Sequence, residues 1–320
     1  MNIQQLLDAS TMTGKLDISA MGLTVLPDLP ETLVELDCGY NQLKTLPPLP
    51  ETIVRLNCGY NQLTILPMLP SKLQNLYCFY NRLQTLPTLP ETLSEVKCYN
   101  NRLTILPTLP ESLIVLDSQN NALHTLPALP RNLSILMCVN NTLHVLPSLP
   151  ETLTRLICNR NPLTSLPTLP KTLTHLDCER NFLETLPPLP ETLTQLTCSN
   201  NQLLCLPALP SKLFYMNCIN NLLTTLPNIP ESLNHLYCQD NPFRKRFRML
   251  TSAERNVIRV RNIRQHYQRK EDARNILALK KTLATKHLLT DDCLSAIGSY
   301  LSGQRGTLFM QIEELQRLIQ

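Results

Sequence analysis

The chain has 320 residues, 43% of them hydrophobic, with 26 prolines, 7 glycines, no tryptophan and a formal net charge of +4. No run of about 18 apolar residues occurs, which argues against a transmembrane helix, and the opening Met1-Asn2-Ile3-Gln4-Gln5 lacks the basic start and apolar core of a secretory leader. The net charge conceals an asymmetry: residues 1–241 hold 13 Lys/Arg against 18 Asp/Glu, whereas residues 242–320 hold 16 against 7. That split predicts two partners, or one partner held at two places.

Residues 2–9 place Ile3, Leu6 and Leu7 at helical spacing and are predicted to form an N-terminal cap within residues 1–15. From residue 16 a period of 20 residues runs without insertion to residue 242. The unit, seen in LVELDCGYNQLKTLPPLPET at 33–52, reads L-x-x-L-x-C-x-x-N-x-L-x-x-L-P-x-L-P-x-x. Eleven Leu-Pro-X-Leu/Ile-Pro elements, from Leu26–Pro30 to Leu226–Pro230, hold 22 of the prolines, and none lies beyond Pro242. This is the pattern of leucine-rich repeats, with cysteine in the third apolar slot. The expected fold is therefore a leucine-rich-repeat solenoid of about twelve units. Short parallel strands line its concave side and an extended, polyproline-like return forms its convex side. An asparagine at every twentieth position from Asn41 to Asn241 stands where the chain leaves the strand, placed to satisfy buried backbone groups. Thr142, beside Asn141, is expected to be exposed and energetically silent.

Ten of the twelve cysteines, from Cys38 to Cys238, fall in one slot, with Ser118 filling the gap. Strands in register would set them about 4.8 Å apart, wider than the ~3.8 Å Cβ separation of a disulfide, and spacings of twenty lack the short pairs of zinc sites. They are read as buried small hydrophobes in a reducing, cytoplasmic setting. His124 and His144 share another slot without a third ligand. No phosphate loop, nucleophile elbow or metal-binding helix motif occurs. No catalytic residue, metal or cofactor is expected.

The third, fifth, seventh and eighth residues of each unit are expected to face outward on the concave side. They contain Tyr40, Tyr60, Tyr77, Phe79, Tyr80 and Tyr99, then Val115, Ile135, Met137, Val139 and Ile157. Later units place Arg155, Arg160, His175 and Arg180 there, followed by Tyr215, His235 and Tyr237. Aromatic and apolar side chains at solvent-facing positions point to a protein-binding surface. The competing reading is that aromatics suit strands and pack on one another.

After Pro242 the spacing becomes helical, so residues 243–320 are expected to form a small basic α-helical region. Its residues 242–286, with 14 Lys/Arg against 3 Asp/Glu, suit a solvated cap on an acidic solenoid, contact with nucleic acid or an anionic surface, or a nuclear import signal.

The LPxLP return and 20-residue period resemble the bacterial effector repeats of the Yersinia outer protein M and invasion plasmid antigen H type. The resemblance covers residues 16–242 and implies a curved domain that recognises host proteins, acting in host cytoplasm or nucleus. The ligase branch of that family carries a catalytic cysteine in a C-x-D setting. Here Cys293 is followed by Leu294-Ser295, so ligase activity is not carried over. Residues 288–301 are similar to the opening helix of an F-box, without the usual proline after the first leucine. This implies an alternative role as the substrate-recognition adaptor, or a remnant, of a ubiquitin ligase.

Overall fold

The computed structural model describes residues 3–243. A helix, α1 (Ile3–Thr13), precedes twelve three-residue strands, β1 (Lys15–Asp17) to β12 (His235–Tyr237), which form one parallel sheet in sequence order. Each strand pairs with the next at an offset of one repeat, as in Leu16↔Leu36 and Met216↔Leu236. The helical region expected over 243–320 lies outside the described residues, apart from Phe243.

The strands are shorter than the L-x-x-L-x-C segment. Only the third to fifth residues of a unit are extended, with the middle one buried and its neighbours partly open. The reason lies three residues downstream. Every eighth residue, from Ala20 through Tyr40 to Asp240, has a left-handed backbone with φ between 49° and 57°. That turn ends the strand and sends the chain to the asparagine.

Leucines of the first, fourth and eleventh slots and the ladder cysteines are almost wholly buried, and the leucines that open the LPxLP segments lie close to the surface. Burial pushes the thiols up: Cys38 and Cys138 to about 12, and Cys58, Cys78, Cys158, Cys178, Cys198 and Cys218 well above the ordinary thiol value. They pack as small apolar groups. Ser118, in the same slot, turns its hydroxyl to the Met137 carbonyl at 3.4 Å.

The asparagines act backwards along the stack. Asn61 donates from Nδ2 to the carbonyls of Cys38, Cys58 and Gly59, and its Oδ1 accepts from the Leu43 amide at 2.9 Å. Each therefore satisfies its own turn and the turn before it. This explains the one exception. Met21 occupies the asparagine slot of the first unit, which has no earlier repeat to serve, while its own amide bonds Asn41 Oδ1 at 3.0 Å.

A second ladder lies in the return. The Thr52 hydroxyl donates to the carbonyls of Glu31, at the end of the preceding unit, and of Leu33, which opens its own, and Thr92, Thr152, Thr172, Thr192 and Ser232 repeat the arrangement. Lys72 and Lys212 interrupt it. There the adjacent Ser71 and Ser211 bond the carboxylates of Glu51 and Glu191 instead. The return segments themselves hold neither helix nor strand. The second proline of each accepts from the residue three positions on, as in Ile53 N to Pro50 O at 3.1 Å. Thr142 is exposed, as expected, and its hydroxyl bonds the Leu123 carbonyl at 2.9 Å and His124 Nδ1 at 2.8 Å.

The helix α1 runs further than the expected 2–9 and stops at Gly14, whose φ of 68° suits a residue without Cβ. The Gly14 carbonyl accepts from the amides of Val34 and Glu35, the role played one repeat later by the Val34 carbonyl. So the cap joins the sheet in register. Phe243, 3% exposed, takes the eleventh slot of the last described unit, where the units before it carry a buried leucine.

Candidate partner-binding face

The aromatic residues expected on the strand face come together, in two columns set by the repeat. Tyr40, Tyr60 and Tyr80 occupy the eighth slot of consecutive units and stack at centroid distances of 4.2 and 4.3 Å, within 14° of parallel. Phe79 and Tyr99, in the seventh slot, stack at 4.7 Å. The columns meet edge to face through Tyr60–Phe79 at 5.6 Å and Tyr80–Tyr99 at 5.7 Å. Tyr40 and Tyr80 are exposed, and Tyr60, Phe79 and Tyr99 half-buried. Desolvation within the stack, together with the flanking hydroxyls of Tyr40 and Tyr80, raises the Tyr60 phenol to about 12.

The backbone corrects one expectation. Tyr40, Tyr60 and Tyr80 are not on strands, so strand propensity does not account for them. They sit in the left-handed turn, at φ 54°, 53° and 49°, where Asn100, Asn120, Asn140, Asn200 and Asn220 stand in other units. Asparagine adopts this conformation readily, whereas a bulky side chain there is uncommon. Arg160 and Arg180 share the slot and the conformation.

Tyr77 stands apart from the columns. Its ring is flanked by the Arg55 guanidinium at 5.1 Å and Lys97 Nζ at 4.9 Å, and its hydroxyl donates to Glu95 Oε2 at 2.5 Å. Burial and the bond to Glu95 hold the phenol at about 12. Lys97 closes the group through a 2.8 Å ion pair with Glu95. Sequence alone singles out Tyr77 and misses the charged residues around it, although Arg55, Glu95 and Lys97 fill the same outward slots in adjacent units.

The apolar strip follows the register. Val115, Ile135 and Arg155 are cross-strand neighbours, as are Asp117, Met137 and Ile157. Ile135, Met137 and Ile157 are half-buried. Asp117 is buried within the strip, its carboxyl raised by burial and held by Gln119 Nε2 at 2.8 Å. Beyond it Arg155 and Arg160 are exposed and Arg180 pairs with Glu179 at 3.3 Å. A second aromatic group closes the face: Phe214 meets His235 at 5.0 Å, and Tyr215 meets Tyr237 at 5.7 Å. Phe214 and Ile114, both exposed in the second slot, escape a reading that counts outward positions only from the third slot on.

Among the described residues no group of three or more His, Cys, Asp or Glu stands where it could hold a metal ion, and no helix is long and apolar enough to cross a membrane. The F-box-like stretch 288–301 and the basic residues 244–286 lie outside the described residues.

No protein-family model and no curated protein matches the chain. Solved structures do. YopM from Yersinia enterocolitica WA-314 is 38% identical with a TM-score of 0.69, covering 70% of this chain and 50% of that one. The chain thus spans half the length of that relative. YopM from Yersinia pestis, a leucine-rich effector protein, is 29% identical with a TM-score of 0.54, covering 76% of this chain and 88% of that one. The leucine-rich-repeat protein FLRT2, in a complex with Latrophilin 3 and Unc5D, shares the fold at 23% identity and a TM-score of 0.61. With its LPxLP returns, in-register sheet and asparagine ladder, the chain is a leucine-rich-repeat solenoid resembling the YopM type of bacterial effector.

Proposed function

We propose that the chain is a non-enzymatic protein-interaction scaffold, a host-directed effector that holds a protein partner on the concave, strand-bearing face. Tyr40, Tyr60, Tyr77, Phe79, Tyr80 and Tyr99 form the centre of the contact. Ile135, Met137 and Ile157 extend it, and Arg155, Arg160 and Arg180 border it. One observation carries this reading: the three stacked tyrosines occupy left-handed turns that five other units fill with asparagine. An L-residue costs about 1–2 kcal/mol in that conformation, and tyrosine lacks the short polar side chain by which asparagine hydrogen-bonds locally to lessen it. Aromatic stacking offsets about 0.5–1.5 kcal/mol per pair. Stability therefore gives little reason to keep tyrosine there, whereas a rigid, half-exposed aromatic surface is what interface anchors are made of. The row of neutral buried thiols suits action in a reducing compartment, the cytoplasm of a host cell.

The test is affinity capture with the full chain, with a Tyr60→Ser, Tyr77→Ser, Phe79→Ser, Tyr80→Ser variant, and with lysines placed at exposed return positions Thr88, Ala128 and Ser148. The reading requires the serine variant to lose the captured partner while folded and the lysine variant to keep it. Full capture by a folded serine variant would move the site off this face.

A further inference from the structure

The tyrosine column has one open end. Tyr80 is met on its far side by the edge of Tyr99. Tyr40 stacks on Tyr60 through one face only, because the unit before it carries Ala20 in the eighth slot, and Tyr40 is 59% exposed. Ala20 has the same left-handed φ, 55°, as the tyrosines. Beside the free face of Tyr40 the slot holds only a methyl group, in the backbone conformation that carries a ring in the next three units.

The surroundings are acidic. On the strand side of these two units and the next, Asp17, Glu35 and Asp37 stand against Lys15 and Arg55. Asp17, in the unit of the open slot, and Asp37, in the unit of Tyr40, are cross-strand neighbours, and both line a strand-side groove with Lys15, Glu35, Arg55 and Asn57, three positions up the chain from the slot. Asp17 Oδ1 accepts from the Ser19 amide and hydroxyl, and Asp37 accepts from the Gly39 amide and Asn57 Nδ2. The two cations of the groove have other partners, Lys15 pairing within it with Glu35 at 2.7 Å and Arg55 lying over Tyr77. Each carboxylate keeps lone pairs for a further donor.

Resting on the strand-face reading above, we infer that this end takes an arginine side chain of the protein partner, its guanidinium stacked on the bare face of Tyr40 in the Ala20 slot and paired with the carboxylates of Asp17 and Asp37. Arginine fits and lysine does not, because a planar, weakly hydrated cation can lie flat on a ring and present a fork of donors at its edge. A neutral aromatic side chain would stack equally well and would make no use of the carboxylates.

The probe is a fluorescently labelled peptide carrying arginines spaced by glycine and serine, titrated into the full chain by anisotropy, beside matched lysine and phenylalanine peptides. The arginine peptide should bind about five- to thirtyfold more tightly than either. Ala20→Tyr fills the slot with the residue that the next three units carry at the same φ, so it should abolish this preference while leaving the melting transition in place. Asp17→Asn with Asp37→Asn should weaken the arginine peptide. Equal binding of arginine and lysine peptides would reveal only a diffuse acidic field and overturn the inference, as would tighter binding of the phenylalanine peptide or a preference unmoved by Ala20→Tyr. If the inference fails in any of these ways while the serine variant still loses its captured partner, the strand-face reading survives it.

Discussion

The ring of Phe79 lies directly on Gly59, one unit earlier in the same slot: a Cβ placed on Gly59 would meet three ring atoms at 2.6 to 2.9 Å. The glycine thus sets the height at which Phe79 can reach both Tyr60 and Tyr99. Its φ is not left-handed, so a substitution there tests space alone. Gly59→Ala should push the ring outward and break the junction of the two columns, costing about 1–3 kcal/mol as an overpacking change. Partner affinity should fall even at temperatures where the variant is fully folded. A Gly59→Ala chain with unchanged stability and affinity would mean that Phe79 has room to move without consequence.

The asparagine ladder makes a quantitative contrast within one turn. Asn141 Nδ2 donates to the carbonyls of Ser118, Cys138 and Val139, and its Oδ1 accepts from the Leu123 amide. Asn141→Ala strands these buried groups and should cost at least about 1–3 kcal/mol. Thr142→Ala removes a part-buried bond to the Leu123 carbonyl and should cost about 0.5–1.5 kcal/mol. Thr104→Ala, on an exposed return position, should cost under about 0.5 kcal/mol. Denaturant titrations of the three variants check the order, and equal midpoints would contradict it.

Buried thiols make the solenoid sensitive to alkali. In the unfolded chain a cysteine ionises near pH ~8.5, whereas burial holds Cys38 and Cys138 to about 12 and six others well above the ordinary value. A raised folded value means that the stability is fully present below the unfolded pKa and is lost as pH rises toward the folded one. Each such thiol should therefore remove up to about 1.4 kcal/mol per pH unit above pH ~8.5. Unfolding midpoints under reductant should fall steeply between about pH 8.5 and 10, and Cys138→Ala with Cys158→Ala should fall less steeply. Parallel pH profiles for the two chains would show that the ladder does not control the alkaline limb. At neutral pH, thiol labelling of the native chain should reach exposed Cys205 long before the ladder.

Most of the fold was legible because a strict period states its own register. Leu36 on Leu56 and Asn41 on Asn61 need no more than the sequence to be placed. What stayed hidden was conformational and pairwise. The left-handed turn at Tyr40 left only a faint trace, asparagine in the same slot of later units, and counting that slot as strand carries the strand three residues too far. The threonine ladder was hidden because Glu51-Thr52 reads as polar filler until the facing carbonyls are known. At the candidate face, aromatic content was legible from slot positions. The separation of Tyr77 from the stack, held by Arg55, Glu95 and Lys97, required side-chain geometry.

The central claim is that the stacked tyrosines are kept for a partner and not for the fold. Replacing Tyr40, Tyr60 and Tyr80 together by asparagine, the residue of Asn100, Asn120 and Asn140 at the same φ, separates the two roles. The measurement is the dissociation constant for the partner recovered by the unaltered chain, taken beside a thermal melt of the same samples. The predicted result is a melting temperature within a few degrees of the original and an affinity lower by about thirtyfold or more, the loss of at least one central anchor. Unchanged affinity in a folded triple variant would contradict it, and so would a collapse of the melt, which would show that the column holds the solenoid together.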